Sequence, residues 1–304
     1  DLMIASPRLE EGVRAFFVDN FGFDQFETLT KDTTLFPKFS AAAAADAQEQ
    51  TLRTVVDLLL KNKGDYRDIF TTKKTFLTQE LGAIYQVPVV DGSPNGSPDA
   101  WLPFEFAKDD PRGGILTQMS FTSLHSPPGR GSPTLRGKAL REVLLCQKVP
   151  APPAAVKFDI VQDTNNPLYK TARDRLKAHA LNPVCAGCHK ITDPIGLALE
   201  TFDGAGRYRD SEKGVKLDTS GSLDGKTFSS SEGLGAALHD HPQLSACLTR
   251  RLYSYGTGGP TAGDDEHERA ARSAALTGAP ASCSIPAPVS PTWCCSRCPW
   301  PPRC

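Results

Sequence analysis

The chain has 304 residues, and its 34 lysines and arginines against 35 aspartates and glutamates give a formal net charge of −1 at pH 7. This length allows one large or two modest domains with a buried core, and the near-neutral charge gives no support for a nucleic-acid partner. The sequence contains no run of about eighteen uninterrupted apolar residues, so it predicts no membrane span.

The first part of the chain predicts a helical domain. Residues 6–23 have Ser6 as a candidate cap and phenylalanines that recur at helical spacing. Residues 40–64, which open with a serine and stop at a glycine, and residues 74–87 predict two further helices. We expect positions 1–110 to form this domain. Because the chain opens as though already inside it, we expect an export signal upstream.

The middle of the chain predicts more helices around a proline-rich strap. Residues 113–126 and 134–147 have helical patterns, and residues 166–181 predict a helix that leads directly into a pair of cysteines. Between them, the sequence VPAPPAAV at positions 149–156 is typical of an extended, polyproline-type segment. The whole pattern favours a mainly α protein.

The last part of the chain predicts a hairpin, two helices and a tail. Residues 206–230 alternate and contain Gly and Asp-Gly turns, which indicates a small β-hairpin. Residues 230–240 and 241–256 predict helices. We expect positions 213–276 to form a small C-terminal helical domain with this hairpin, and positions 277–304 to be a disordered tail that is not necessarily native.

The most specific pattern is CAGCH, in which Cys185 and Cys188 are followed directly by His189. This spacing lets one turn of backbone deliver two sulfurs to the edge of a porphyrin and an imidazole to its iron, so the motif favours a haem-c attachment site. A zinc half-site is an alternative that needs two more ligands, for which Cys146 and Cys247 are the plausible residues. A redox dithiol is a second alternative, although it is typical of a βαβ pattern that the sequence lacks.

The residues around the motif resemble a known family. The stretches SPTLRGKALREVLLC, NPVCAGCHKITDPIGLALETFDGAGRYR and CLTRRLYSYGTGG are similar to blocks of uncharacterised secreted bacterial proteins. These proteins are abundant in planctomycetes and also occur in myxobacteria, and their consecutive domains of unknown function surround a single haem-c motif. The resemblance covers the chain from its start to about residue 270 and departs at Gly258, where the family usually has arginine.

The resemblance implies roles for particular residues. Cys185 and Cys188 match the thioether positions, and His189 matches the proximal iron ligand. Arg207 matches a position that could pair with a haem propionate, with a surface arginine as the alternative. The implied fold is a cytochrome-c-like haem module over residues 111–212, after a bundle-like helical domain.

The sixth iron ligand stays open at this point. His125 is the first candidate, because some relatives carry histidine there. His179 follows, with a helix-surface residue as its alternative, and then Met119, with a core residue as its alternative. A vacant or water-filled site is a further possibility.

Two cysteines outside the tail remain once a haem takes its pair. Because an exported protein tolerates disulfides, we expect Cys146 and Cys247 to be joined, with two buried thiols as the alternative. The other five cysteines lie within residues 283–304, where composition argues against a metal site.

These patterns predict a haem-c protein that transfers single electrons to or from a redox partner protein in the periplasm or outside the cell. One alternative is an enzyme that activates peroxide or dioxygen at an open distal site. Another is a non-enzymatic surface or binding module with a structural haem. No Ser-His-Asp or Walker-type pattern indicates hydrolysis or nucleotide use.

Overall fold

The structure is a computed structural model that describes residues 4–90, 97, 99–151 and 159–258. Helices dominate these residues and the strands form small antiparallel pairs, so the mainly α prediction is confirmed. The helices are α1 Leu9–Phe21, α2 Ala41–Val56, α3 Gln79–Tyr85, α4 Met119–Leu124, α5 Pro133–Ala139, α6 Asp159–Gln162, α7 Ala172–His179, α8 Pro183–Gly196, α9 Ser231–His239 and α10 Pro242–Thr257. The strands are β1 Lys74–Leu77, β2 Leu102–Glu105, β3 Ser211–Glu212, β4 Val215–Lys216, β5 Gly221–Leu223 and β6 Lys226–Phe228.

The first two helices differ in how well their starts were predicted. Helix α2 begins after Ser40, whose hydroxyl accepts a hydrogen bond from the Ala43 N–H at 3.0 Å, as expected. Helix α1 begins only at Leu9, because the Ser6 hydroxyl accepts from the N–H of Arg8 and closes a turn ahead of the helix. The prediction of a cap at Ser6 was therefore wrong by one short turn.

The predicted helix over residues 74–87 is wrong in its first part. Residues Lys74–Leu77 form β1, which pairs antiparallel with β2 so that Thr75 lies opposite Phe104. Only after Thr78, whose hydroxyl accepts from the N–H of Leu81, does helix α3 begin. The partner strand lies more than twenty residues further along the chain, and pairing of this kind overrides local helix preference.

The later elements follow the predicted order with shorter helices. The region predicted as a helix at 113–126 is a short 3-10 turn followed by α4, and α5 continues from Leu140 to Leu144 as a π-helical turn. Residues 206–230 hold two short hairpins, β3–β4 and β5–β6, so the hairpin prediction is confirmed. The tail at 277–304 and most of the proline strap lie outside the described residues.

A single apolar core joins elements from most of the described chain. Phe16 and Phe17 of α1, Leu140 beyond α5, Leu234 of α9 and Leu244 of α10 all belong to it. Asp1–Gly256 accordingly form one compact unit, and the described part of the second unit is Thr257 and Gly258. The finer domain boundaries at residues 110 and 212 stay predictions. Within the described ranges, none of the helices is both long and apolar enough to cross a membrane.

Helix α8, which carries the cysteine motif, is packed tightly against α5. The Asn182 side chain accepts from the Val184 N–H and Pro183 takes the first helical position, so the start of α8 is defined locally. Further along, Gly196 of α8 meets the backbone of α5 so closely that a β-carbon there would overlap the carbonyl oxygen of Pro133. The absence of side chains at such contacts lets the two helices cross with their backbones touching.

The expected disulfide is present. Cys146 and Cys247 are bonded and link the segment after α5 to α10 across 101 positions of sequence. The prediction is confirmed, and the alternative of two buried thiols is not.

Candidate functional site

The cysteine motif lies in the first two turns of α8. Cys185, Cys188 and His189 are spaced i, i+3 and i+4, which places them along one side of the helix. Both cysteines are free thiols, Cys185 buried and Cys188 half-buried. The thiol of Cys188 donates to the carbonyl oxygen of Pro150 at 3.6 Å, at the start of the proline strap.

His189 is held by a carboxylate one turn further along the same helix. Its Nδ1 lies 2.7 Å from Oδ2 of Asp193, and the two side chains are only 11% and 10% exposed. An ionised carboxylate can only accept, so Nδ1 carries the proton in this contact. The nitrogen left for a metal is then Nε2, the arrangement that protein histidine ligands commonly use.

The other oxygen of Asp193 is fixed from a second helix. Its Oδ1 accepts a hydrogen bond from the hydroxyl of Thr134 on α5 at 2.8 Å, and the hydroxyl of Thr192 lies 3.2 Å away. The contact between α5 and α8 therefore determines the orientation of the carboxylate that holds His189.

An open cleft of about 680 Å³ lies beside His189. Its volume falls within the range of about 300–1,000 Å³ that is usual for ligand pockets. Its lining comes from α7, α8, the β5–β6 hairpin and residues next to them, and it includes six apolar side chains: Leu176, Ala180, Ala186, Pro194, Leu197 and Phe228. Three cations, Arg173, Lys177 and Lys190, also line it. Arg173 is engaged by Asp218, whereas the two lysines are exposed.

The structure brings His179 next to His189. The centroids of the two rings are 4.9 Å apart with an edge-to-face angle of 74°. His179 ends α7 and is 7% exposed, so the alternative of a helix-surface residue was wrong. Burial, followed by the charge of His189, lowers the pKa of His179 below its usual value, which favours a neutral imidazole able to bind a metal.

Neither cysteine is among the described residues that line the cleft. Cys185 lies one turn before His189 on α8 and is 7% exposed, and the sulfur of Cys188 is directed to Pro150. Cys185, Cys188 and His189 therefore share a helix, but of these three only His189 lines the cleft.

The structure places His125 and Met119 elsewhere. His125 ends α4 and lines a separate small cavity, where its ring lies 4.8 Å from that of Phe121. Burial, then the charges of Arg136 and Lys31, lower the pKa of His125 to about 4. Met119 is fully buried in the main core. Neither residue is brought together with His189.

Arg207 is likewise remote from the cleft. It is exposed and lines a different cavity with Lys38 and Asp203, and its backbone N–H donates to the Asp203 carboxylate at 3.0 Å. Two exposed cations that do line the cleft, Lys177 and Lys190, were missed by the sequence analysis. Their positions on the two helices that flank the motif were the available signal, because each lies near His179 or His189 in sequence.

The zinc half-site has no additional ligands at the positions that it requires. Cys146 and Cys247, the two cysteines it would need, are bonded to each other. Over the described ranges, no group of three or more His, Cys, Asp or Glu side chains is arranged to hold a metal ion. A haem differs in that the porphyrin supplies most of the ligands itself, so one or two protein ligands suffice.

Two family models match the chain. Residues 112–212 match PSCyt3, described as a protein of unknown function (DUF1588), and residues 1–87 match PSD4, described as a protein of unknown function (DUF1592). The first match contains α8 and its motif, and the second contains α1 and α2. Both matches support the predicted resemblance to domains of unknown function. No curated protein and no solved structure matches the chain.

Proposed function

We propose that this protein is a c-type cytochrome-like haem protein that carries single electrons through one covalently bound haem. Cys185 and Cys188 would form the thioether bonds, and His189 would be the proximal iron ligand. The observation that carries the proposal is the hydrogen bond between Asp193 and His189, within a CxxCH helix and beside a cleft of ligand size. The family name PSCyt3 also hints at a cytochrome-like domain.

The residues present fit a haem in two respects. Asp193 occupies Nδ1 of His189 and leaves Nε2 for iron. The surface of the cleft is mainly apolar, as a porphyrin face requires, and Ala186 of α8 and Leu197, directly after α8, contribute to it. Attachment of the two sulfurs would require the side chains of Cys185 and Cys188 to turn toward this cleft. Haem, when bound, supplies the one-electron chemistry.

The propionates of the haem would pair with Lys177 and Lys190. Both are exposed lysines that line the cleft, and the charge of Lys177 also acts on the Asp218 carboxylate. Arg207, the residue that the family resemblance implied, lies at a different cavity. Charge at the cleft therefore supports the two lysines in this role.

His179 is the residue that we propose as sixth ligand. It is buried, its pKa is lowered, and its ring lies beside that of His189. The two ring centroids are 4.9 Å apart, so the rings would have to separate to admit an iron between them. His125 has a depressed pKa as well, but it lies in a separate cavity. A sixth ligand from the protein favours electron transfer over the activation of peroxide or dioxygen, which needs an open position.

The proposal includes export and a redox partner. A disulfide such as Cys146–Cys247 is typical of the periplasm or the extracellular space, where haem-c proteins also act. A protein that exchanges single electrons needs a donor and an acceptor, so the proposal requires at least one redox partner protein.

The optical spectrum tests the proposal. The protein should be produced in the periplasm with haem-c maturation and measured oxidised, reduced with dithionite, and reduced with carbon monoxide. We expect sharp α and β bands in the reduced protein and no shift with carbon monoxide. The H179A variant should become sensitive to carbon monoxide, whereas H125A, the matched control, should not.

Two results would count against the proposal. A high-spin wild-type spectrum that shifts with carbon monoxide would favour the alternative of a haem enzyme with an open distal site. The absence of a Soret band from correctly matured material would contradict haem binding altogether.

A further inference from the structure

We infer that Thr134 is a positioning residue for His189. Its hydroxyl holds the Asp193 carboxylate in the orientation that accepts a hydrogen bond from Nδ1 of His189, so that Nε2 of the same ring stays available on the side of the cleft. Asp193 is the intermediate in this chain of contacts. The inference rests on the proposed function insofar as His189 is taken as an iron ligand. The contacts themselves belong to the protein without haem.

The geometry fixes both oxygens of the carboxylate. Oδ2 of Asp193 lies 2.7 Å from Nδ1 of His189, and Oδ1 accepts from Thr134 at 2.8 Å. A carboxylate held at one oxygen can rotate about its Cβ–Cγ bond, but one held at both oxygens by groups on two different helices cannot do so without breaking a hydrogen bond. Because Asp193 is nine-tenths buried, water does not readily replace the lost partner.

Thr192 does not duplicate the role of Thr134 in the structure. Its hydroxyl lies 3.2 Å from Oδ1 of Asp193 but 3.0 Å from the carbonyl oxygen of Cys188. A hydroxyl has one proton, so Thr192 donates to one of these acceptors at a time, and the helix carbonyl is the nearer. The hydroxyl of Thr134 makes its described contact with Asp193 alone.

The arrangement has two consequences for His189. A fixed carboxylate at Nδ1 selects the neutral tautomer that carries the proton on Nδ1. The same hydrogen bond makes the ring a stronger donor through Nε2, which favours oxidised over reduced iron and lowers the potential of a bound haem. Loss of the Thr134 hydroxyl should weaken both effects.

The first test uses the protein without haem. Nitrogen-15 NMR at alkaline pH reports the ratio of the two neutral tautomers of His189. We expect the wild type to populate mainly the Nδ1–H form. The T134V variant, which keeps the shape of the side chain but not the hydroxyl, should lower the ratio of Nδ1–H to Nε2–H by about fivefold, the effect of one typical hydrogen bond.

Two further variants sharpen this test. T134S retains the hydroxyl and should restore the wild-type ratio, which a purely steric role of Thr134 would not predict. D193N removes the charge at constant shape and should lower the ratio at least as much as T134V. Should T134V fail to fold, T134A removes the same hydroxyl and takes its place. An unchanged ratio in the variant without the Thr134 hydroxyl would overturn the inference, whatever D193N shows.

The second test uses the haem-loaded protein. The midpoint potential of T134V should be higher than that of the wild type and T134S, by about 59 mV if the reduction equilibrium changes tenfold. An equal potential in T134V and the wild type would contradict this consequence. A protein that shows the tautomer effect but takes up no haem would overturn the proposed function and leave the positioning role of Thr134 intact.

Discussion

Gly137 of α5 and Thr192 of α8 touch through their backbones, so that a β-carbon on Gly137 would overlap the carbonyl oxygen of Thr192. This contact lies one turn of α5 beyond Thr134 and next to Asp193 on α8. It therefore sets the distance across which Thr134 donates to Asp193 and, through it, the orientation of His189.

Replacement of Gly137 by alanine should destabilise the protein strongly. The new methyl group meets backbone rather than a movable side chain, so the two helices must separate. We expect G137A to lose about 2 kcal/mol or more of unfolding free energy, measured by urea titration. G12A is the matched control, because nothing lies within 4 Å of a β-carbon at Gly12 of α1. G12A should raise the free energy of unfolding by up to about 1 kcal/mol. A G137A protein as stable as the wild type would contradict the close crossing of α5 and α8.

Arg136 is expected to be essential for stability although it lies outside the cleft. Its guanidinium is fully buried and donates to the carbonyl oxygens of Leu199, Phe202 and Asp203, and it lies 3.5 Å from the buried carboxylate of Glu200. R136M leaves these buried carbonyl oxygens without their donor and leaves the Glu200 carboxylate with Arg209 as its remaining ion-pair partner, which should cost about 3–5 kcal/mol in thermal or urea unfolding.

The control for this variant is a surface arginine. Arg67 pairs with Asp65 at 2.6 Å, but both side chains are 43% exposed. R67M should therefore unfold like the wild type. Equal midpoints for R136M and R67M would show that the buried arginine does not organise this region.

His125 should make the protein less stable in mild acid. Its pKa in the folded state is about 4, because burial and the nearby Arg136 and Lys31 disfavour the charged ring. In the unfolded chain the pKa returns to about 6.5, so between these values the unfolded state binds a proton that the folded state does not. The contribution of the uncharged His125 ring to the free energy of unfolding is therefore fully present above pH 6.5. It is lost as the pH falls toward about 4, by up to about 3 kcal/mol.

Urea unfolding at about pH 7 and about pH 4.5 measures this loss. H125Q has no titrating ring, so it should lose less stability than the wild type over the same interval. If both proteins lose the same amount, groups other than His125 govern the acid sensitivity.

The bond between Cys146 and Cys247 should contribute substantially to stability. It closes a loop of 101 positions, for which the entropy of the unfolded chain predicts about 4–5 kcal/mol. A reductant should therefore lower the urea midpoint, and a C146S/C247S variant should match the reduced protein. The C185S/C188S variant should respond to reductant as the wild type does. Alkylation of Cys146 and Cys247 in the unreduced protein, seen by peptide mapping, would contradict the pairing.

The success of the sequence analysis depended on the distance between interacting residues. Ser40 was identifiable as a cap because its partner, Ala43, is three residues away. Lys74–Leu77 were not identifiable as a strand, because their partners lie at Leu102–Glu105 and no local sequence pattern indicates that pairing. The helical pattern that begins with α3 extended the prediction backward into β1.

The distance in sequence between interacting residues also decided which parts of the site could be predicted. Cys185, Cys188 and His189 form a contiguous motif, and Asp193 follows His189 at the i+4 spacing that predicts a contact on a helix. The positions of His125 and Arg207 depend on how α4 and the loop after α8 pack against the core, which their neighbours in sequence do not determine.

Covalent attachment of haem tests the central claim most directly. Protein matured in the periplasm should be extracted with acidified acetone, separated on a denaturing gel and stained for haem. We predict that the wild-type chain keeps its haem through extraction and denaturation, and that C185S/C188S loses it. A wild-type chain that matures normally and retains no haem would contradict the account.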